Sequence, residues 1–174
     1  MIPSIPAVPL LPLDAAFDHA AVAAHRIRDL LPLYQDMLGG EFYLGGDNVR
    51  VGYRGVQLKF RGGGKIELLE PLPGSTFLDS FFRRGPLGGL HHLTFTVTRE
   101  MTGTIATLEG LGYRVHGASA ADADWHEVFL HPREAFGTLL QIVRPGPNYG
   151  PARDYTIEDV LAGKGPNGSG SPSP

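Results

Sequence analysis

His19, Glu67, His92 and Gln141 have the types and the spacing of a ligand set. His19 and His92 lie 73 positions apart, as do Leu38-Gly39 and Leu111-Gly112, while Pro71 and Pro145 lie 74 apart. Glu67 stands four residues before Pro71, and Gln141 four before Pro145. One histidine on its own is usually an ordinary polar strand residue, and one glutamate usually sits on a solvated edge. Four such residues at matched positions argue instead for convergence. Two imidazoles, a carboxylate and an amide oxygen form a mixed N/O set suited to a divalent ion (Co, Mn, Ni, Fe or Zn), with positions left for a substrate.

The matched positions belong to a plan that runs twice. In the first pass, FDHAAVA (17–23) reads as a strand. A helical stretch follows with Ile27, Leu30, Leu31, Tyr34, Met37 and Leu38 on one side, its regular part delayed or kinked by Pro32. EFYLG, VQLKF and KIELLEP are the next strands, separated by glycine-rich turns. The second pass repeats the order with HHLTFTV (91–97), a helix through Met101, Ile105, Leu108 and Leu111 that stops at Gly112, then YRVHG, WHEVFLH and TLLQIVRP. The expected fold is therefore α+β: two βαβββ modules whose mixed sheet curls into a cup, with helices outside. The modules are placed at 14–75 and at 76–145, the second including a linker. An extended lead-in (1–13) precedes them, and a tail (146–174) follows with a short helix over 156–162 and a disordered Gly/Ser/Pro end.

Strand alternation assigns roles within GGLHHLTFTVT. His92, Thr94, Thr96 and Thr98 share one face, and His91, Leu93, Phe95 and Val97 the other, so His92 is the expected ligand and His91 a structural residue. In KIELLEP and TLLQIV, Glu67 and Gln141 interrupt apolar runs. A carboxylate there is costly to bury unless it is paired or bound to a cation.

Composition narrows the function classes. The chain is 42% hydrophobic and 19% charged with a formal net charge of −3, and it has no basic cluster to suggest a nucleic-acid partner. It has no cysteine, which excludes thiolate metal sites and a cysteine nucleophile and fits a cytoplasmic location. The apolar start MIPSIPAVPLLPL lacks a basic flank and is broken by four prolines, so no membrane association is expected. RGGGKIE lacks the Ser/Thr and spacing of a phosphate loop, and no GxSxG is present. Trp125 and His126, near a strand start, are candidates for the cup mouth, although a loop aromatic with no function is the plainer reading. His131-Pro132 reads as a strand-end turn.

DHAAVA, KIELLEPLPGSTFLDSFFRRGPLGGLHHLTFTV and FLHPREAFGTLLQI resemble the vicinal oxygen chelate (glyoxalase/bleomycin resistance/dioxygenase) superfamily over about 17–145, with methylmalonyl-CoA epimerase the closest subgroup. The resemblance implies metal ligands at His19, Glu67, His92 and Gln141. It also implies an epimerase or isomerase acting α to the carbonyl of a small acyl-CoA thioester. Such epimerases carry the carboxylate ligand in the second module, whereas here Glu67 and Gln141 exchange that arrangement. The family's general-base position falls on Gln57, whose amide cannot accept a proton. Glu127, taken as its repeat mate, and Glu67 are the alternative catalytic carboxylates. Other readings are a glyoxalase-type isomerase or natural-product lyase, an extradiol-type dioxygenase using His19, His92 and Glu67, and a non-catalytic small-molecule binding or resistance protein. The expected partners are a small-molecule substrate, with a CoA thioester as the specific case, and a second copy of the chain in a homodimer.

Overall fold

In the computed structural model, which describes residues 13–166, eight strands form one curled sheet. They are β1 (Ala16–Ala23), β2 (Glu41–Asn48), β3 (Tyr53–Lys59), β4 (Lys65–Pro71), β5 (Gly89–Thr96), β6 (Val115–Asp122), β7 (Trp125–Leu130) and β8 (Leu139–Pro145). Their order is β2-β3-β4-β1-β5-β8-β7-β6, so the modules meet along the antiparallel β1–β5 pair. Each module closes on itself through a parallel pair, β1–β4 and β5–β8. The lead-in before residue 13 and the expected disordered end lie outside the described residues.

Period-two patterning makes the two faces of this sheet chemically unlike. On one face Val56, Leu58 and Leu68 pack with Ile27 and Val160, and Val128, Leu130 and Ile142 pack with Met101 and Leu108 of α2 (Met101–Gly110). The other face carries Gln57, Glu67, His92, Thr94 and Gln141 on alternate positions. The first-module helix departs from expectation. It is a 3₁₀ turn (Ile27–Asp29) followed by a π-helical stretch (Pro32–Met37), because Pro32 cannot donate within a regular helix. The linker contains a short helix that periodicity did not indicate, α1 (Asp79–Arg84). In the tail, α3 (Ile157–Leu161) starts from a capping box in which Thr156 Oγ1 accepts from Asp159 N. Among the described residues no helix is long and apolar enough to cross a membrane.

Candidate active site

The repeat places its polar residues in matching register. Glu67 pairs with Ala21 on β1, and Gln141 pairs with Thr94 on β5, each two residues along the strand from its module's histidine. The fully buried Ala21 and Ala23 keep the first-module side of this face low, leaving room for imidazoles. His19 Nε2 and His92 Nε2 each lie 3.4 Å from Glu67 Oε2, and the donor atoms of the three residues lie within 4.8 Å of one another. Gln141 joins less directly: the Thr94 hydroxyl donates to its Oε1 at 2.6 Å and sits 3.0 Å from His19 Nε2.

Two β-bulges shape this centre. Phe17 faces Phe95 and His19 faces Thr94, so Asp18 is an extra residue in β1; Ala21 faces His92 and Val22 faces Leu90, so His91 is an extra residue in β5. A bulge breaks strict alternation and re-aims side chains. The expected division of His91 and His92 onto opposite faces therefore does not hold: their Nδ1 atoms are 2.9 Å apart and both residues line one cavity. Asp18 likewise turns toward its neighbour and holds His19 Nδ1 at 2.6 Å, while Lys65 Nζ donates to Asp18 Oδ2 at 2.8 Å.

Electrostatics follow this geometry. Burial disfavours a charged His19, but the carboxylates of Asp18 and Glu67 outweigh it and raise its pKa to about 8. Burial opposes ionisation of Glu67, yet the two facing imidazoles hold its carboxyl well below the usual range. Asp18 is also held low, because hydrogen bonds from His19 and Lys65 outweigh burial. His91 is pushed down to about 4, first by burial and then by His92. A neutral His91 can accept from His92 Nδ1–H, which leaves Nε2 as the His92 ring nitrogen turned toward Glu67. That Nε2 is buried with no hydrogen-bond partner. An unpartnered ring nitrogen 3.4 Å from a carboxylate in a desolvated site is what a ligating histidine offers, so the residues fit a divalent metal.

A cavity of about 590 Å³ opens beside this cluster. Leu69, Phe77, Phe129 and Leu139 form its apolar wall, and His92, Gln141 and Glu127 its polar side. Glu127 accepts from Gln141 Nε2 at 2.7 Å and from Trp125 Nε1 at 3.1 Å. Burial nonetheless raises its pKa above the ordinary value. Gln57 does not line this cavity; it is buried and lines a small chamber of about 20 Å³ with Glu67, Gln141, Trp125 and Tyr149. The strand ladders also correct the pairing of Gln57 with Glu127. Gln57 faces Glu67 and its repeat mate is Phe129, which faces Gln141; Glu127 faces Val143, so it corresponds to Gly55.

Sequence reasoning missed Asp18, Lys65, Tyr149 and Arg50. Lys65 was within reach, since it lies two positions before Glu67 on the same strand face. Trp125, read as a loop aromatic, is instead a buried strand residue donating to Glu127. Arg50 supplies a cation to the cup that no motif indicated: it lines the cavity and donates to Ser119 Oγ at 3.1 Å, joining the two modules.

Residues 18–129 match the Glyoxalase/Bleomycin resistance protein/Dioxygenase superfamily. The chain belongs to that superfamily. Among relatives of this glyoxalase-superfamily protein, the mitochondrial methylmalonyl-CoA epimerase of Dictyostelium discoideum is 26% identical, over 72% of this chain and 75% of its own. An ethylmalonyl-CoA/methylmalonyl-CoA epimerase of Cereibacter sphaeroides is 27% identical, over 72% and 94%. The crystal structure of methylmalonyl-CoA epimerase from Mycobacterium tuberculosis superposes with a TM-score of 0.65 at 27% identity, covering 75% of this chain and 88% of that one.

Proposed function

We propose that this superfamily member is a metal-dependent epimerase acting at the carbon α to the thioester carbonyl of a small acyl-CoA, of the methylmalonyl-CoA type. The observation that carries the reading is a second carboxylate, Glu127, which lines the large cavity together with His92 of the His19–Glu67–His92 cluster and with Gln141. Epimerisation removes a proton α to a carbonyl and returns it to the opposite face. His19, Glu67 and His92 would hold a divalent ion, with Gln141 Oε1 as the fourth ligand once it is released from Thr94. When bound, the ion supplies Lewis acidity that stabilises charge developing on the carbonyl oxygen.

The chain's own groups perform the rest. The raised pKa of Glu127 matches it to proton transfer nearer neutral pH than an ordinary carboxylate, and the Gln141 and Trp125 N–H groups aim its Oε2. Glu67, outside the lining of that cavity and with its carboxyl held well below the usual range, serves as a ligand and not as a second proton donor. Gln57 is an amide outside the lining of this cavity, with its Oε1 3.2 Å from the Tyr149 hydroxyl, and it carries no proton. The apolar wall excludes water from the carbanionic α-carbon, and Arg50 at the rim offers a charge-assisted contact for an anionic substrate group.

Metal analysis of protein purified without chelator, paired with deuterium exchange at the α-carbon of methylmalonyl-CoA in D₂O, tests this reading. Exchange should vanish on chelation and in His92→Ala. In Glu127→Gln it should fall by about 10²–10⁴-fold, the usual worth of a general base. A metallated wild type that exchanges nothing overturns it. The two-histidine, one-carboxylate cluster supports a second reading, extradiol oxygenation at Fe²⁺, checked by oxygen uptake with catechols.

A further inference from the structure

Residues 146–166 lie beyond the superfamily match and form a strap from the second module back to the first. At the start Asn148 Nδ2 donates to Asp124 Oδ2 at 2.9 Å. Further along, Ala152 N donates to Tyr43 O at 2.6 Å, α3 buries Val160 completely, and Asp47 N donates to Pro166 O at 3.0 Å. Between these anchors Tyr149 turns its phenol inward. Its ring centroid lies 4.9 Å from that of Trp125 and 6.4 Å from that of Tyr43.

The hydroxyl meets three groups: Lys65 Nζ at 2.9 Å, Asp18 Oδ1 at 3.0 Å and Gln57 Oε1 at 3.2 Å. Lys65 can only donate, so it donates to the phenol oxygen and leaves one phenol proton for Asp18 or Gln57. Asp18 Oδ1 has the shorter contact and carries charge, which strengthens the bond it accepts. That same Oδ1 holds His19 Nδ1 at 2.6 Å.

We propose that Tyr149 is a positioning residue of the metal site: its hydroxyl fixes Asp18, and Asp18 fixes the tautomer and orientation of His19. The strap is thereby part of the site rather than a decoration on the fold. This rests on the reading of His19 as a metal ligand. Carboxylates that orient a ligating histidine change metal affinity by about 10–100-fold when lost, and a group acting through such a carboxylate by less.

The test uses the full chain stripped of metal and titrated with Co²⁺ against a competing chelator, with the visible spectrum of the bound ion recorded alongside. Tyr149→Phe keeps the ring between Trp125 and Tyr43 and removes only the hydroxyl. It should weaken Co²⁺ binding by about 3–10-fold and shift the visible band, while the melting temperature changes little. Asp18→Asn should weaken binding by about 10–100-fold, and adding Tyr149→Phe to it should cost nothing more. Glu158→Ala, on the exposed side of the strap helix, should leave affinity unchanged. Wild-type affinity and spectrum in Tyr149→Phe overturn the proposal, as does a loss that adds in full to that of Asp18→Asn. A wild type that takes up no Co²⁺ overturns the metal reading itself, a result distinct from either.

Discussion

Stability of the metal-free protein should fall as pH rises from about 6.5 through 8, the reverse of what buried carboxylates alone would give. His19 is 1% exposed and is faced by Asp18 from its own strand, Glu67 from β4, His92 and Thr94 from β5, and Trp125 from β7. The two carboxylates outweigh burial and raise its pKa from 6.5 to about 8. A group whose folded pKa is raised contributes fully below its unfolded pKa and loses that contribution as pH climbs through the folded value. The difference corresponds to about 2 kcal/mol, which for a domain of this size is roughly 4–8 °C in melting temperature. His91 acts in the lower window: with its pKa pushed down to about 4, it reduces stability as pH falls from 6.5 toward 4. The metal-free fold should therefore be most stable near pH 6.5. Differential scanning fluorimetry of EDTA-treated protein between pH 5 and 9 measures this. Glu67→Gln should flatten the alkaline limb, since one of the two anions facing His19 is gone. A melting temperature that is constant or rising from pH 6.5 to 9 would refute the assignment of a buried histidinium.

Three further outcomes follow from single contacts. Gly88 has φ +89°, and a Cβ there would run into the backbone carbonyl of Ala23, so Gly88→Ala should destabilise the fold by at least about 2 kcal/mol in urea denaturation. Arg50→Ala should raise KM for an anionic acyl-CoA by about tenfold with little change in kcat, since Arg50 is an exposed residue of the cavity lining and not one of the ligand or proton-transfer groups. Trp125→Phe removes the 3.1 Å N–H donor to Glu127, so its carboxyl should rise further. The acidic limb of the kcat profile should then move to higher pH, and an unmoved limb would remove Glu127 from the proton-transfer step.

The repeat was legible because its landmarks are residue types with few uses. Glycine stops, prolines that end the fourth strands and a polar residue within each apolar run recur 73 or 74 positions apart, and the sheet order is the physical form of that recurrence. The failures lie where alternation is locally broken. A strict period of two separates His91 from His92 and turns Asp18 away from His19, and neither separation survives the bulges in the β1–β5 pair. No residue type demands a bulge at either position, so the signal is tertiary: it depends on how β1 and β5 pair across the module boundary. The same holds for Gln57 and Glu127, where counting along the chain gave a repeat relation that the ladders offset by two residues.

That offset bears on how the site divides its work. At the position equivalent to Glu127 the first module has Gly55, where a Cβ would come within 3.0 Å of Glu67 Oε1. A carboxylate side chain there would press on Glu67 Oε1, which would have to give by a few tenths of an ångström, and two uncompensated anions so close would repel. In the second module the ligand position holds Gln141, a neutral amide, and its Nε2 donates to Glu127 Oε2 at 2.7 Å. Placing the charged ligand in the first module thus accompanies a glycine beside it, and placing the amide in the second accompanies a free carboxylate beside it. The double exchange Glu67→Gln with Gln141→Glu tests the coupling. The carboxylate introduced on β8 would face Glu127 without the N–H that now separates Glu127 from its neighbour, so the pair should hold a shared proton. Metal affinity should then survive the exchange, since the ligand set is conserved, while α-proton exchange should fall about as far as in Glu127→Gln. Full activity in the exchanged protein would show that Glu127 does not depend on Gln141 for its ionised form.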